Sequence, residues 1–304
     1  MPTTVVLHVE TGERLAAHPP FRQLHGLACQ LLERQLEPAA HRATVKPFAI
    51  SPLACRWDGT RAWQITWLPD EEVPPILERV VHGRLGDIPI VLVPEAMVHR
   101  SFRELHEAER GTAFDLQFRS PTWFSRSGIE LVLPDPAVML AGLARRWDEL
   151  APSPVPAEVL GALARVVQVA AVDIQTIRTN SVREIHLDDG IAPLVRLELD
   201  ERGPRTAADR AGFVGAARLV LAAPASRGLD ESLRAACEEW FGTLMWFAGF
   251  AGVGKAVTHG FGWCEVTAAD SGAFRRRVRV ALPGERPRRP RVDRPSLDPV
   301  EAVW

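Results

Sequence analysis

The chain has 304 residues, of which 46% are hydrophobic and 24% charged, and its formal net charge at pH 7 is -2. A chain of this length and composition can bury one large core or two ordinary ones. The opening residues lack the basic start and apolar stretch of a signal peptide, and no apolar run approaches the roughly 18 residues of a membrane span. We therefore expect a cytoplasmic protein with no membrane partner.

The first 110 residues predict a ferredoxin-like unit. In chain order, β-branched alternation in "TTVVLHVET" predicts a strand, and an apolar stripe predicts a helix that begins after Pro20. "ATVKPFAIS" and "AWQITWLP" predict strands, "EEVPPILERVV" a short helix and "IPIVLVP" a buried strand. The order βαββαβ is that of the ferredoxin-like fold, in which helices cover one face of an antiparallel sheet.

The same order recurs at greater length after the polar stretch "HEAERGT". "AFDLQFRSPTWF" and "GIELVLP" predict a hairpin, and a helix follows with Asp135 as its N-cap. Strands are predicted at "VVQVAAVDIQTIR", "LVRLELD", "GFVGAARLVLAA" and "GWCEVTAA", with a long helix at "DESLRAACEEWFGTLMWFAGF". The predicted fold class is α+β, with two tandem ferredoxin-like domains of the RAMP/RRM-like type at 1–110 and 111–270 and a basic tail at 271–304.

One glycine-rich segment, "GFAGVGKAVTHGFG" at 249–262, has the glycine and lysine spacing of a nucleotide-binding P-loop. A P-loop follows a strand and opens a helix, whereas this segment follows a predicted helix and precedes a strand. Ala256 also stands where a P-loop has the hydroxyl that holds magnesium. We therefore expect no nucleotide hydrolysis, and two readings remain: a tight helix-to-strand connection, or a loop whose backbone approaches phosphate.

Several motifs in order resemble one known family. "FAGFAGVGKAVTHGFGW" is similar to the C-terminal glycine-rich signature of the RAMP superfamily, the repeat-associated proteins of CRISPR systems, and specifically of its repeat-RNA-cleaving endoribonuclease, the sixth Cas family. "KPFAISPL" at 46–53, "FRSPTWFSRSG" at 118–128, "LPDPAVMLAGLARRW" at 133–147 and "GFVG" at 212–215 resemble the same family in the same order. The resemblance covers about residues 20–268 and implies the same two ferredoxin-like domains.

The resemblance implies cleavage of CRISPR precursor transcripts (pre-crRNA) within the repeat, without metal or cofactor. The RNA's own 2'-hydroxyl then attacks, leaving a 2',3'-cyclic phosphate and a 5'-hydroxyl end. Histidine suits the proton transfers and a cation suits the charge on the phosphorane. The alternative is a non-catalytic RAMP-type subunit that binds crRNA in a CRISPR effector complex.

Three residues are candidates for the chemistry. His41 lies where the family places its catalytic histidine, and Lys46 heads "KPFAISPL" and would stabilise charge on the scissile phosphate. His25 borders the apolar stripe of the first helix and is either a second acid or base or a core-edge histidine. Some family members use a tyrosine for proton transfer, and this chain has no Tyr.

RNA contacts are predicted from arginine-containing turns and from the glycine-rich segment, since Arg binds phosphate in a bidentate manner and stacks on bases. The candidates are Ser125, Arg126, Arg178, Arg183, Gly252, Gly254, Lys255, Thr258, His259, Gly260 and Gly262. Only two of the 36 basic residues are Lys, namely Lys46 and Lys255, which favours a specific need for a compact ammonium at both. Each candidate is alternatively a solvated or packing residue.

Charge is uneven along the chain. Residues 275–294 carry nine Arg against Glu285 and Asp293, which suits a polyanion partner or a disordered solubilising end. The expected partners are CRISPR repeat RNA, as pre-crRNA or crRNA, with other Cas effector subunits and a homodimer left open. The four Cys residues form no C-x-x-C pair, so we predict buried free thiols and no metal site, and the remaining histidines are treated as ordinary.

Overall fold

The computed structural model describes residues 1–12, 21–32, 45–56, 58–108, 110–187, 195–199, 209–222, 228–269 and 274–281. Within these ranges, none of the helices combines the length and apolar character that crossing a bilayer requires. The described elements form a mixed nine-stranded sheet, an antiparallel four-stranded sheet and a small hairpin. His41 falls outside the described residues.

The N-terminal unit builds its sheet from the first six strands and one long helix. Its strands are β1 (Thr3–Glu10), β2 (Phe48–Ile50), β3 (Ala54–Arg56), β4 (Arg61–Trp67), β5 (Val81–Leu85) and β6 (Ile88–His99), and its helix is α1 (Phe21–Leu32). β1 is central and pairs antiparallel with β4 and β6, while β2 and β3 both pair with β4. This is the strand arrangement of a ferredoxin-like unit.

The predicted second helix of this unit is short. A single 3-10 turn, Pro75–Glu78, stands where "EEVPPILERVV" predicted an α-helix, and its N-cap is Pro74. Two consecutive prolines fix φ and remove two N–H donors, so only a tight turn forms. β5 follows this turn and pairs with β6, which the sequence pattern did not predict.

The C-terminal unit has the sheet order β10-β13-β7-β14. Its elements are α2 (Phe102–His106), β7 (Ala113–Thr122), α3 (Pro136–Leu150), α4 (Ala157–Val166), β10 (Val167–Arg178), β13 (Ala211–Leu221), α5 (Glu231–Ala251) and β14 (Cys264–Ala268). In ferredoxin numbering this order is 2-3-1-4, so the predicted fold class is confirmed. α4 was not predicted, and Asp135 caps α3 as expected by accepting from the Val138 N–H at 3.0 Å.

Three strands from the C-terminal half extend the N-terminal sheet. β11 (Val182–Leu187) pairs parallel with β3, β12 (Val195–Leu199) pairs antiparallel with β11, and β15 (Val278–Ala281) pairs parallel with β12. β15 begins inside the predicted basic tail, so the reading of 275–294 as a disordered end is wrong for this strand. The domain boundaries near 110 and 270 stay a prediction.

Buried apolar residues form three clusters. The largest lies between α2 to α5 and the C-terminal sheet, and includes Phe118, Leu143 and Phe241. A second lies beneath α1, and a third joins the β11–β12–β15 extension to β13. α2 contributes Phe102 and Leu105 to the largest cluster, so packing on the second sheet starts before residue 110.

Candidate functional site

Helix α1 lies against the glycine-rich segment. Nδ1 of His25 lies 2.8 Å from the carbonyl oxygen of Thr258, and because a carbonyl only accepts, this nitrogen carries the proton and donates. The ring stacks on His259 with 3.9 Å between centroids. Phe21, one turn earlier, contacts Phe261 with ring centroids 4.1 Å apart. One face of α1 therefore holds the segment in place.

His259 is neutral at physiological pH. Burial lowers its pKa to about 4, and the nearby His25 and Arg22 act in the same direction. Its Nδ1 lies 3.3 Å from the hydroxyl of Thr258. Any RNA contact of His259 would therefore use a hydrogen bond or stacking in place of charge.

The predicted glycines are required by close packing. Gly254, Gly260 and Gly262 all have positive φ, of 80°, 92° and 67°. A Cβ at Gly262 would overlap the carbonyl oxygen of Val253, and one at Gly254 would lie 2.5 Å from that of Trp123. These positions admit only glycine for steric reasons. Packing of a tight helix-to-strand connection therefore explains the glycines, whether or not the segment also binds a ligand.

Several backbone donors of the segment are used inside the protein. The N–H of Lys255 donates to the Trp123 carbonyl, that of Gly262 to Pro121, and that of Val253 to Gly262. The segment begins in the last turn of α5, which ends at Ala251, and it precedes β14. It therefore leaves the C-terminal end of a helix, whereas a P-loop leads into a helix N-terminus. The Lys255 side chain is exposed.

A buried arginine anchors the entry to this segment, and the sequence reasoning missed it. Arg146 on α3 donates through Nη2 to the Gly252 carbonyl at 2.8 Å and through Nη1 to the Ala251 carbonyl. These carbonyls end α5, where backbone acceptors lack helical partners. Burial lowers the pKa of Arg146 to about 10, so the guanidinium stays charged at neutral pH. The motif "LARRW" carried the signal, since Arg146 falls on the apolar stripe of α3 at helical spacing from Met139 and Leu143.

Lys46 lies two residues before β2 and is half-buried. β2 begins with Phe48, whose ring centroid is 6.2 Å from that of His25. Pro52, two residues after the end of β2, lies against the glycine-rich segment, because a Cβ added at Gly260 would be 3.0 Å from the Pro52 nitrogen. α1, the β2 region and the segment therefore converge, and the convergence of His41 on them stays a prediction.

In addition to the glycines, four of the predicted RNA-binding residues lie at one end of the C-terminal sheet: Ser125, Arg126, Arg178 and Lys255. β7 ends and β14 begins at this end, next to Lys255. Ser125 and Arg126 lie on β8 (Phe124–Arg126), which pairs with β9 (Ile129–Leu131) through a Ser127–Gly128 turn in which both residues have positive φ. Arg178 ends β10 at the same side, since it pairs with Ala211 at the start of β13. Arg183 lies apart, on β11.

Each of these arginines already contacts a carboxylate. Arg126 lies 3.1 Å from Asp135, Arg183 lies 3.7 Å from Glu198, and Nε of Arg178 donates to Asp209 at 2.5 Å. Arg126 and Arg183 have side-chain exposures of 56% and 51%, whereas that of Arg178 is 34%. Exposed ion pairs of this kind contribute little stability. By exposure, Arg126 and Arg183 are the more accessible of the three.

A shallow cleft lies between the N-terminal sheet and the end of α5. Thr4, Gln64 and Thr66 line it from the sheet, and Phe250 and Trp263 line it from the other side. Of the predicted RNA-binding residues, Gly252 lines this cleft. The site thus has a polar wall from one unit and an aromatic wall from the other.

His186 does not fit the expectation of an ordinary histidine. Its ring nitrogen and carboxylate oxygens of Glu184 and Glu198 lie within 4.8 Å of one another. A hydrogen bond with Cys55 and one with Glu184 raise the pKa of His186 to about 9, so it is cationic at neutral pH. The spacing Glu-x-His on one strand was visible in the sequence, but Glu198 and Cys55 come from other strands.

The family model described as CRISPR-associated endoribonuclease Cas6 matches residues 116–264, just under half of the chain. The match includes "GFVG", the α3 motif and the glycine-rich segment. The resemblance predicted from these motifs is therefore confirmed. A search of curated proteins found no significant sequence match.

Solved structures share the fold. A Cas6 (TTHA0078) product complex is 24% identical with a TM-score of 0.64, and it covers 88% of this chain and 100% of its own. A Cas6 (TTHB231) product complex is 22% identical with a TM-score of 0.63 and the same coverage. Thermus thermophilus Cas6 (TTHB231) is 24% identical with a TM-score of 0.59, covering 88% of this chain and 98% of its own.

Proposed function

We propose that this Cas6-type chain cleaves CRISPR repeat RNA within the precursor transcript by a metal-independent reaction. The observation that carries the proposal is the Cas6 endoribonuclease match over residues 116–264, which ends just after the glycine-rich segment. Contacts of His25 with Thr258 and His259 join that matched region to α1. The candidate histidine His41 follows α1 in the chain.

In the proposed reaction the 2'-oxygen attacks the adjacent phosphorus while its proton passes to a general base. The bond from phosphorus to the 5'-oxygen breaks, and a general acid protonates the leaving oxygen. The products are a 2',3'-cyclic phosphate and a 5'-hydroxyl end. His41 supplies one of these proton transfers, and Lys46 stabilises charge on the phosphorane.

His25 is better suited to positioning than to proton transfer. Its Nδ1 proton is used by the Thr258 carbonyl at 2.8 Å, and its Nε2 lies 3.5 Å from Sγ of Cys29. Both ring nitrogens thus have protein partners, and His259 covers one ring face. These contacts favour a role in which His25 fixes the glycine-rich segment next to the reacting groups.

RNA binding is proposed at the same end of the C-terminal sheet. Lys255 and Arg126 offer exposed cations there, while Ser125, Thr258 and the glycines set the backbone path. Arg178 and Arg183 extend the basic surface along β10 and β11. A cytoplasmic location and association with other Cas subunits accord with this function.

The test is cleavage of the cognate repeat RNA in EDTA by wild type and by His41→Ala, with end-group analysis of both products. We expect cyclic phosphate and 5'-hydroxyl ends, and a rate loss of roughly 100-fold or more in His41→Ala, the scale of a general acid or base. The matched control is His82→Ala, which changes an exposed histidine on β5.

Two results would reject the mechanism: cleavage that requires added Mg²⁺, or cleavage by His41→Ala at the wild-type rate. Tight repeat binding by the wild-type protein without cleavage would instead establish the alternative function, a non-catalytic crRNA-binding subunit.

A further inference from the structure

Five residues form one line across the extended N-terminal sheet. They are aligned as Cα partners from strand to strand: Arg61 on β4, Cys55 on β3, His186 on β11, Arg196 on β12 and Arg279 on β15. Partners in adjacent strands point to the same face, and strands lie about 4.8 Å apart, so the line spans about 19 Å. We call these residues the arginine row.

The arginine row lies on the same face of the sheet as α1, which covers that face farther along β4. Arg61 alternates with Trp63 and Ile65 along β4, and both of these pack in the cluster beneath α1. On the opposite face, residues such as Ile185 and Leu197 pack in the third apolar cluster. The extension is therefore apolar on one face and charged on the other, where the four cations of the row outnumber the carboxylates of Glu184 and Glu198.

Charge on this face favours an anion over a metal ion. Glu184, His186 and Glu198 have the donor atoms of a metal site. However, Arg61 lies 2.8 Å from Glu184 and Arg183 lies 3.7 Å from Glu198. Both carboxylates are thus compensated by arginines, and a further divalent cation would be repelled by them and by the row.

Accessibility in the row is greatest at its β15 end, whereas Arg196 is half-buried and its Nε is shielded from solvent. Arg279 is exposed, and the side chains of Arg61 and His186 are 18% and 26% exposed. Arg279 lies two residues before the end of β15, and five more arginines follow in the sequence at 286–294.

We propose that the arginine row binds backbone phosphates of the RNA strand outside the cleavage site, as a contact independent of sequence. The inference rests on the proposed function in that the polyanion is RNA. Arginine suits this task because its fork binds phosphate oxygens in pairs and stays charged. The four cations of the row neutralise phosphates along the strand and position it without reading its bases.

The test compares two RNAs: the repeat alone, and the repeat with roughly ten flanking nucleotides on each side. Each flank is longer than the row, which spans about 19 Å at about 4.8 Å per strand. Binding is measured by fluorescence anisotropy at several salt concentrations for wild type and for Arg196→Gln/Arg279→Gln. For the extended RNA we expect roughly tenfold weaker binding and a salt slope smaller by about 1.4, since each phosphate contact on a single strand contributes about 0.7. Single-turnover cleavage at saturating protein should keep the wild-type rate, because the row lies outside the reacting groups.

The matched control is Arg84→Gln, which removes an exposed arginine from β5 at the opposite edge of the same sheet. It should bind both RNAs as wild type does. Arg196→Lys keeps the charge and should retain most of the affinity, and the melting temperature of each variant verifies folding.

Wild-type affinity for the extended RNA in the double variant would overturn the proposal. So would an equal loss for both RNAs accompanied by slower cleavage, or a loss of association with a protein while RNA binding is unchanged. If wild type binds the extended RNA through the row but does not cleave, the proposed function fails and the row stands. If wild type cleaves and the variants bind normally, only the row fails.

Discussion

The imidazole ring of His25 lies nearly parallel to that of His259, with 3.9 Å between the ring centroids and 12° between the ring planes. The hydrogen bond from His25 to Thr258 joins residues 233 positions apart, and the stack adds a second contact between the same two elements. It fixes the glycine-rich segment on α1, and it makes the roles of the two histidines separable by substitution.

The first prediction concerns His25 as a positioning residue. His25→Ala should reduce cleavage and lower the free energy of unfolding by about 1 to 2 kcal/mol, because the Thr258 carbonyl loses its donor. His25→Asn places an amide N–H near the position of Nδ1, so it should restore much of the cleavage rate and of the free energy of unfolding. Cleavage rates across pH distinguish the roles: if His25 transferred protons, Asn would give no rescue and the pH profile would change.

The second prediction concerns pH and His259. The pKa of this imidazole is about 4 in the folded protein and near 6.5 when unfolded, so the unfolded state binds the proton more readily. Its contribution to stability is present above pH 6.5 and is lost as pH falls toward 4. The loss should be on the order of 2 kcal/mol at most, since the ring is partly exposed to solvent.

Urea unfolding at pH 7 and pH 4.5 measures this loss, and His259→Phe provides the comparison because it keeps a stacking ring and removes the titration. The pH-dependent loss should be smaller in His259→Phe than in wild type. An equal loss in both proteins would assign the effect to other groups.

The third prediction concerns Arg146. Arg146→Met keeps much of the buried volume but leaves the Ala251 and Gly252 carbonyls without their donor, so the free energy of unfolding should fall by about 3 kcal/mol. Arg145→Met is the matched control, because Arg145 is the exposed neighbour on the same helix. It should unfold within about 0.5 kcal/mol of wild type in the same urea titration. Comparable losses in the two variants would show that the buried guanidinium is not an anchor.

The fourth prediction separates two glycines of the same motif. Gly262→Ala should destabilise the protein by at least about 2 kcal/mol, because its φ is 67° and the new methyl group would overlap the Val253 carbonyl. Gly249→Ala lies within α5 with open space around it, and it should be neutral or stabilise by up to about 1 kcal/mol. The melting temperatures of the two variants test both expectations. A tolerated Gly262→Ala would show that the segment is less tightly packed than described.

Local patterns in the sequence determined most elements and the family resemblance. Alternation along β7, β10 and β13 and the Asp135 cap of α3 depend on neighbouring residues only, and the structure has them as predicted. Hydrophobic periodicity wrongly predicted an α-helix at "EEVPPILERVV", because two prolines restrict φ and remove N–H donors, so only a 3-10 turn forms. The ordered motifs predicted the Cas6 resemblance that the family model confirms.

Tertiary structure alone decided which distant residues meet. Pairing of β11 with β3 and of β15 with β12 depends on burial of one apolar face against β13, so the alignment of Arg61, His186 and Arg279 has no local signature. The contacts of His25 with Thr258 and of Arg146 with Gly252 likewise require packing between elements far apart in the chain. Short-range propensity sets the elements, whereas long-range burial and hydrogen bonding set the site.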